Sequence, residues 1–198
     1  MIEQHKKNHI IILLLFSMSL IPFLIAWFLT LDTQWLRKGT NYGQLLTPPL
    51  TTQSSDFIGF DAFSSDNMNQ LPGHWVLIHL IDSGECAEVC QSAIHKTKQL
   101  RLMMNKDLVR IRRLAIMLEP VDVQKAGLWW AEDTRLLRAY VTEAFKARLS
   151  AVQPQGFEEG ELLLMDPLGN IMMRYTPGFD PYKVKSDLQK LLRISQIG

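Results

Sequence analysis

Only two cysteines occur in the 198 residues, neither charge sign is in excess (21 Lys and Arg against 20 Asp and Glu), and no histidine follows His95. Such a chain is too apolar to be disordered and not basic enough to present a nucleic-acid surface. No P-loop, dinucleotide fingerprint, zinc-ligand spacing or Ser-His-Asp arrangement is present, so nucleotide-dependent and hydrolytic chemistry have no support. Internal repeats and low-complexity tracts are also missing.

Apolar residues, in contrast, make up 47% of the chain, enough for one globular domain and a separate greasy segment. The greasy segment is the uncharged run from Ile10 to Leu31, which as a helix spans about 33 Å and is long enough to cross a bilayer. A cleavable signal peptide has a shorter apolar region and a small-x-small site, which "WFLTLDTQW" does not offer. The run is therefore read as an uncleaved anchor, with Trp27 and Trp35 as interfacial aromatics. Lys6 and Lys7 before it balance Arg37 and Lys38 after it, so the positive-inside count is a tie. Long domains translocate largely regardless of charge, so the expectation is a short cytoplasmic tail (1–9), the span (10–31) and a domain on the far side. In a bacterium this is the inner membrane with the domain in the periplasm, where a cysteine pair can be oxidised.

Residues 32–73 are rich in Thr, Ser, Asn, Gly and Pro, which predicts a tether and irregular lead-in to a domain over 74–198. "WVLIHLI" (Trp75–Ile81), bounded by Pro72-Gly73 and Asp82-Ser83-Gly84, reads as a strand buried on both faces. A helix is expected from about Glu85 to Asn105, a strand over Leu108–Leu118 and a helix over Glu132–Leu149. "ELLLMD" and "NIMMRYT" around "PLG" read as a hairpin, and "PYKVKSDLQKLLRI" as a closing amphipathic helix. Periodicity supports an α/β class with a mixed sheet in the order β-α-β-α-β-β-α.

Cys86 and Cys90 fall where the first strand gives way to its helix. At i and i+4 of that helix they would share a face, close enough to bridge or to hold one ion. The first turn's free amides and dipole favour thiolate over thiol, whereas Asp82, Glu85 and Glu88 oppose it and would attract a cation or a basic partner. Four readings stay open at this level: a structural disulfide, two buried thiols, a redox couple, or a pair of soft Cu(I) ligands.

With "NYGQLL" near Asn41, the C-x3-C at Cys86 and Cys90, and "MDPLGNIMMRY" behind one anchor, the chain resembles the Sco/SenC family of cytochrome c oxidase assembly proteins, in particular its divergent bacterial membrane-anchored relatives. The resemblance implies a thioredoxin-like domain that helps to build the oxidase copper centre, by carrying Cu(I) or by keeping subunit cysteines reduced. Its partners would be an oxidase subunit or other assembly factors. Cys86 and Cys90 match the family's two thiol ligands. The family's histidine ligand has no counterpart: the corresponding "GFEEGELLLMD" offers Glu158 or Glu159, hard donors poorly suited to Cu(I). Gln91 stands where a proline usually follows the second cysteine. A general thiol-disulfide reductase, with Cys86 as exposed nucleophile resolved by Cys90, and a non-catalytic scaffold with a structural bridge are the rivals.

The remaining candidates have bland readings beside the chemical ones. His79 lies among apolar strand residues as a core histidine, His74 sits at the strand's far end, and His95 faces away from Cys90. Met103, Met104, Met172 and Met173 read as core filling. Trp129 and Trp130 are either a plug on the core or a docking patch.

Overall fold

The computed structural model describes residues 2–31, 41–130 and 133–195, with side chains from Ile11 to Leu29 in the first stretch. Trp35, Arg37, Lys38 and Glu132 lie outside the described residues, as do the side chains of Lys6 and Lys7. The chain divides into two units, residues 1–40 and 41–198.

The first unit is helix α1 (Ile2–Leu31). Its stretch Ile11–Leu29 has a mean hydropathy of 2.5 and is long and apolar enough to cross a membrane, as a single-pass protein requires. Ser17 and Ser19 donate their hydroxyls to the carbonyls of Leu14 and Phe16, which satisfies these polar groups within the helix.

The second unit is built on one sheet. Its described strands are β1 (Gln44–Thr51), β2 (Phe57–Gly59), β3 (Trp75–Ile81), β4 (Ile111–Met117), β5 (Leu137–Val141), β6 (Leu162–Met165) and β7 (Asn170–Tyr175), in the spatial order β1-β7-β6-β3-β4-β5-β2. The helices are α2 (Ala62–Asn67), α3 (Glu88–Met103), α4 (Val123–Trp129), α5 (Glu143–Val152) and α6 (Pro181–Ile194). β3 pairs in parallel with β4 and antiparallel with β6, so it is central and its seven residues are all buried. Alternation along β3 divides the core. Val76, Ile78 and Leu80 pack with Phe145 and Leu149 of α5, while Trp75 and Leu77 pack with Leu100 of α3 and with Val184 and Leu188 of α6. A third cluster joins Ile81, both cysteines, Ile94, Met117 and Trp130.

Three segments depart from the sequence pattern. The stretch read as an irregular lead-in supplies β1, β2 and α2, and places β1 and β2 at the two edges of the sheet. Pro48 and Pro49 hide β1 from a pattern reading, and the register with β7 breaks between Leu45 and Leu50 around them, since proline has no amide to donate. The Asn41–Gly43 approach is anchored by Asp187 of α6, whose Oδ2 accepts from the amides of Tyr42 (2.8 Å) and Gly43 (2.9 Å). A Cβ on Gly43 would stand 2.6 Å from the Tyr175 ring.

The helix expected over Glu132–Leu149 is instead β5 followed by α5. Leu137 and Ala139 are buried by a period-2 alternation, and Thr142 stops the strand by accepting from the Phe145 amide as the N-cap of α5. The expected strand at Leu108 starts later, at Ile111, because 105–110 form a 3-10 turn.

Candidate functional site at the cysteine loop

The chain leaves β3 at Ile81, crosses a loop and enters α3 at Glu88, with Ala87 as N-cap. Cys86 therefore precedes the helix, and Cys90 is its third residue. The two are joined as a disulfide with Cα atoms 5.2 Å apart. The expected shared helix face is thus a bridge across the helix start. Both cysteines are buried, Cys86 at 2% and Cys90 at 3% exposure, against Ile81, Ile94, Met117 and Trp130.

Ala87 has no side chain that could cap the helix, and its amide donates 2.9 Å to Oε1 of Glu159, from the loop before β6. Gln91 closes the other side: its Nε2 donates 2.8 Å to the Cys86 carbonyl. A proline at 91 could make no such bond. Gly160 follows Glu159 with φ +80°, and a Cβ there would stand 2.6 Å from Cγ1 of Val89, so the acidic loop lies directly on the first turn of α3. Glu161 is buried beside Arg174 (3.6 Å), and burial pushes its carboxyl up.

A pocket of about 250 Å³ opens beside Cys90, lined by Leu80, Ile81, Phe157 and the carboxylates of Asp82, Glu85, Glu158 and Glu159. Glu85 is exposed and reaches Lys125 at 3.8 Å. Glu88 occupies the first turn of α3, where its charge favours the helix dipole.

Beneath the helix runs a buried polar chain that sequence reading did not assemble. Thr97 donates its hydroxyl to the Ile94 carbonyl (2.9 Å), so His79 Nε2, 2.8 Å away, is the donor to Thr97 Oγ1. His79 Nδ1 is left without a partner among the described residues. Burial and then the Arg113 charge push its imidazole down to about 3. Arg113 donates to the Ile94 carbonyl (3.3 Å) and holds Asp133 through Nη2. Arg113 shares a strand face with Ile111, Ala115 and Met117, a charge at an inward register position that could have revealed the pair.

The other candidates take their bland roles. His74 Nδ1 lies 3.2 Å from the Pro72 carbonyl, and His95 is exposed beside Trp129. Trp130 is buried at 5% and meets Trp129 edge to face, which makes it a plug on the cysteine cluster. Met104 and Met173 are core residues, with Met103 and Met172 packed against them. Among the described residues no group of three or more His, Cys, Asp or Glu is placed to hold a metal. When reduced, the two sulfurs are a soft pair that suits two-coordinate Cu(I), while Glu159, hard and bonded to the Ala87 amide, does not complete a third position.

Residues 75–195, from β3 to the end of α6, match the family of the transmembrane-like, thioredoxin-like, C-terminal domain. The chain belongs to this family. The transmembrane-like thioredoxin-like domain is similar in structure to Sco1 of Thermus thermophilus, with a TM-score of 0.54 and 16% identity over 78% of this chain and 99% of that one. It is also similar to a SCO1/SenC family lipoprotein of Bacillus anthracis str. Ames (TM-score 0.51, 16% identity, 74% and 99% covered). Yeast Sco1, solved with copper bound, aligns with a TM-score of 0.50 at 14% identity, covering 64% of this chain and 83% of that one. At these identities the likeness establishes the thioredoxin-like fold. No curated protein sequence matches the chain.

Proposed function

We propose that the protein is a membrane-anchored assembly factor for cytochrome c oxidase that uses Cys86 and Cys90 as a thiol-disulfide couple on cysteines of an oxidase copper site. The tail 1–9 is cytoplasmic, 10–31 spans the bacterial inner membrane, and the thioredoxin-like domain works in the periplasm. The observation that carries this reading is the bridge between Cys86 and Cys90 at the junction of β3 and α3, with the Glu159 carboxylate engaged on the Ala87 amide beside it. In the reducing direction, a thiolate of the reduced pair attacks a partner disulfide and releases one partner thiolate. The second cysteine thiolate then displaces the other, closing the Cys86–Cys90 bond as two electrons pass to the partner. A dithiol donor regenerates the pair.

A single-cysteine variant in cells, quenched with acid and an alkylating agent, tests this. Because the pocket reaches Cys90, a Cys86→Ser variant is expected to accumulate a mixed disulfide with an oxidase subunit. The absence of an oxidase adduct from both Cys86→Ser and Cys90→Ser chains contradicts the proposal. An adduct only through Cys86 shows instead that the loop opens to expose that buried residue first.

Cu(I) carriage is the second reading, favoured by the soft sulfur pair and by the fold shared with a copper-bound relative. It requires Cu(I) binding by the reduced chain in competition with a chromogenic chelator, and its loss in the Cys86→Ser/Cys90→Ser chain.

A further inference from the structure

At the opposite end of the sheet from the cysteine loop, where β4 and β5 begin, a cleft of about 410 Å³ is lined by Arg101, Arg112 and Arg135 and by the apolar side chains of Phe63, Leu108 and Val109. The register Trp75↔Ile111 sets this end about 20 Å along β3 from Ile81, where the cysteine loop starts. Among the described residues, no carboxylate lines the cleft. Asp133, the acidic group that acts on Arg101, is already held by Arg113. Two of the guanidiniums are oriented by their inner nitrogens: Arg101 Nε donates 2.9 Å to the Ile111 carbonyl, and Arg112 Nε donates 3.1 Å to Gln70 Oε1. Arg112 Nη1 bonds the Val109 carbonyl. Among the described residues, the Nη groups of Arg101, Nη2 of Arg112 and the whole Arg135 guanidinium have no hydrogen-bond or ion-pair partner. The charges also repel one another, since Arg112 and Arg135 act on Arg101, and Arg135 acts on Arg112.

Three guanidiniums lining one cleft, with outer donors left free among the described residues, match the oxygens of a phosphate, which guanidinium pairs bind in a bidentate manner. The volume exceeds that of a bare ion, and the apolar wall accommodates an organic substituent. We propose that this cleft binds a phosphate group carrying an apolar substituent. This phosphate belongs either to a soluble organic phosphate or to the headgroup of a lipid.

The test is calorimetric titration of the full chain, in a non-ionic detergent at low salt, with phenyl phosphate and with dihexanoyl phosphatidic acid. One-to-one binding of at least one probe is expected. Arg135→Gln, at an exposed residue without a side-chain partner among the described residues, is expected to weaken it about tenfold while the melting temperature holds. Lys125→Gln, remote from the cleft, should bind as the wild type does. Tighter binding of phenyl phosphate assigns the site to soluble organic phosphates, and tighter binding of the lipid analogue assigns it to headgroups. The absence of binding by both probes at about 10 mM, or wild-type affinity in Arg135→Gln, overturns the proposal.

Discussion

Glu159 gives one carboxylate oxygen to the Ala87 amide, at the start of α3 beside the cysteine pair. Its charge beside the pair disfavours thiolate, and so disfavours the reduced state. Glu159→Gln keeps an acceptor for the amide and removes the charge. The Cys86–Cys90 midpoint should then move to a less negative potential, on the order of the 30 mV that corresponds to tenfold in the exchange equilibrium, measured against glutathione buffers. An unchanged midpoint would mean that the carboxylate acts only as a helix cap. His79 gives the fold a pH dependence of definite sign. The unfolded chain protonates this residue below its ordinary 6.5, whereas the folded chain resists down to about 3. Its contribution is therefore complete above pH 6.5 and is lost as the pH falls through that window, by up to about 1.4 kcal/mol per pH unit. Urea midpoints at pH 7 and pH 5 should differ less in His79→Gln than in the wild type.

At the level of elements, Asp187 ties the start of the folded unit to its last helix through two amide hydrogen bonds. Asp187→Ala should destabilise the unit by about 2 kcal/mol, seen in urea unfolding, because one buried and one part-buried donor lose a charged acceptor. Elements with a strong local signal were legible in the sequence: Trp75–Ile81 as a continuous apolar run, the Asp166–Asn170 turn, and α6 with its apolar stripe. The turn is readable because Asp166 Oδ1 accepts from the amides of Leu168 (2.9 Å) and Asn170 (2.8 Å) within the motif itself. β5 was not legible, because Leu136, Leu137 and Tyr140 satisfy a helical spacing as well as a strand's. Only its parallel pairing with β4 decides between them. β1 and β2 are edge strands made by pairing with β7 and β5, which are distant in sequence. The site divides in the same way. The cysteine spacing shows in ten residues, whereas the Glu159 cap spans 72 positions and the arginine cleft draws on four separate segments.

In the whole molecule, the apolar helix and the thioredoxin-like unit are built differently: the helix is long and apolar enough to cross a membrane, and the sheet carries the cysteine loop at one end and the cationic cleft at the other. In the proposed function, an anchor of this kind raises the effective concentration of the cysteine pair near a membrane-embedded oxidase without any added contact. Both cysteines are buried and Cys90 lines the pocket beside the loop, so in the proposed function the partner sulfur approaches Cys90 through that opening, between side chains held by Gln91 and Glu159. In the proposed function the pair acts on the cysteines of an oxidase copper site. The most direct measurement is the oxidation state of those cysteines, read as a mass shift after alkylation, in cells making the wild-type or the Cys86→Ser/Cys90→Ser chain at equal abundance. The expected result is accumulation of the oxidised subunit in the variant, unrelieved by added copper. Subunit cysteines that remain reduced in the variant, in an oxidase of full activity, would contradict that function.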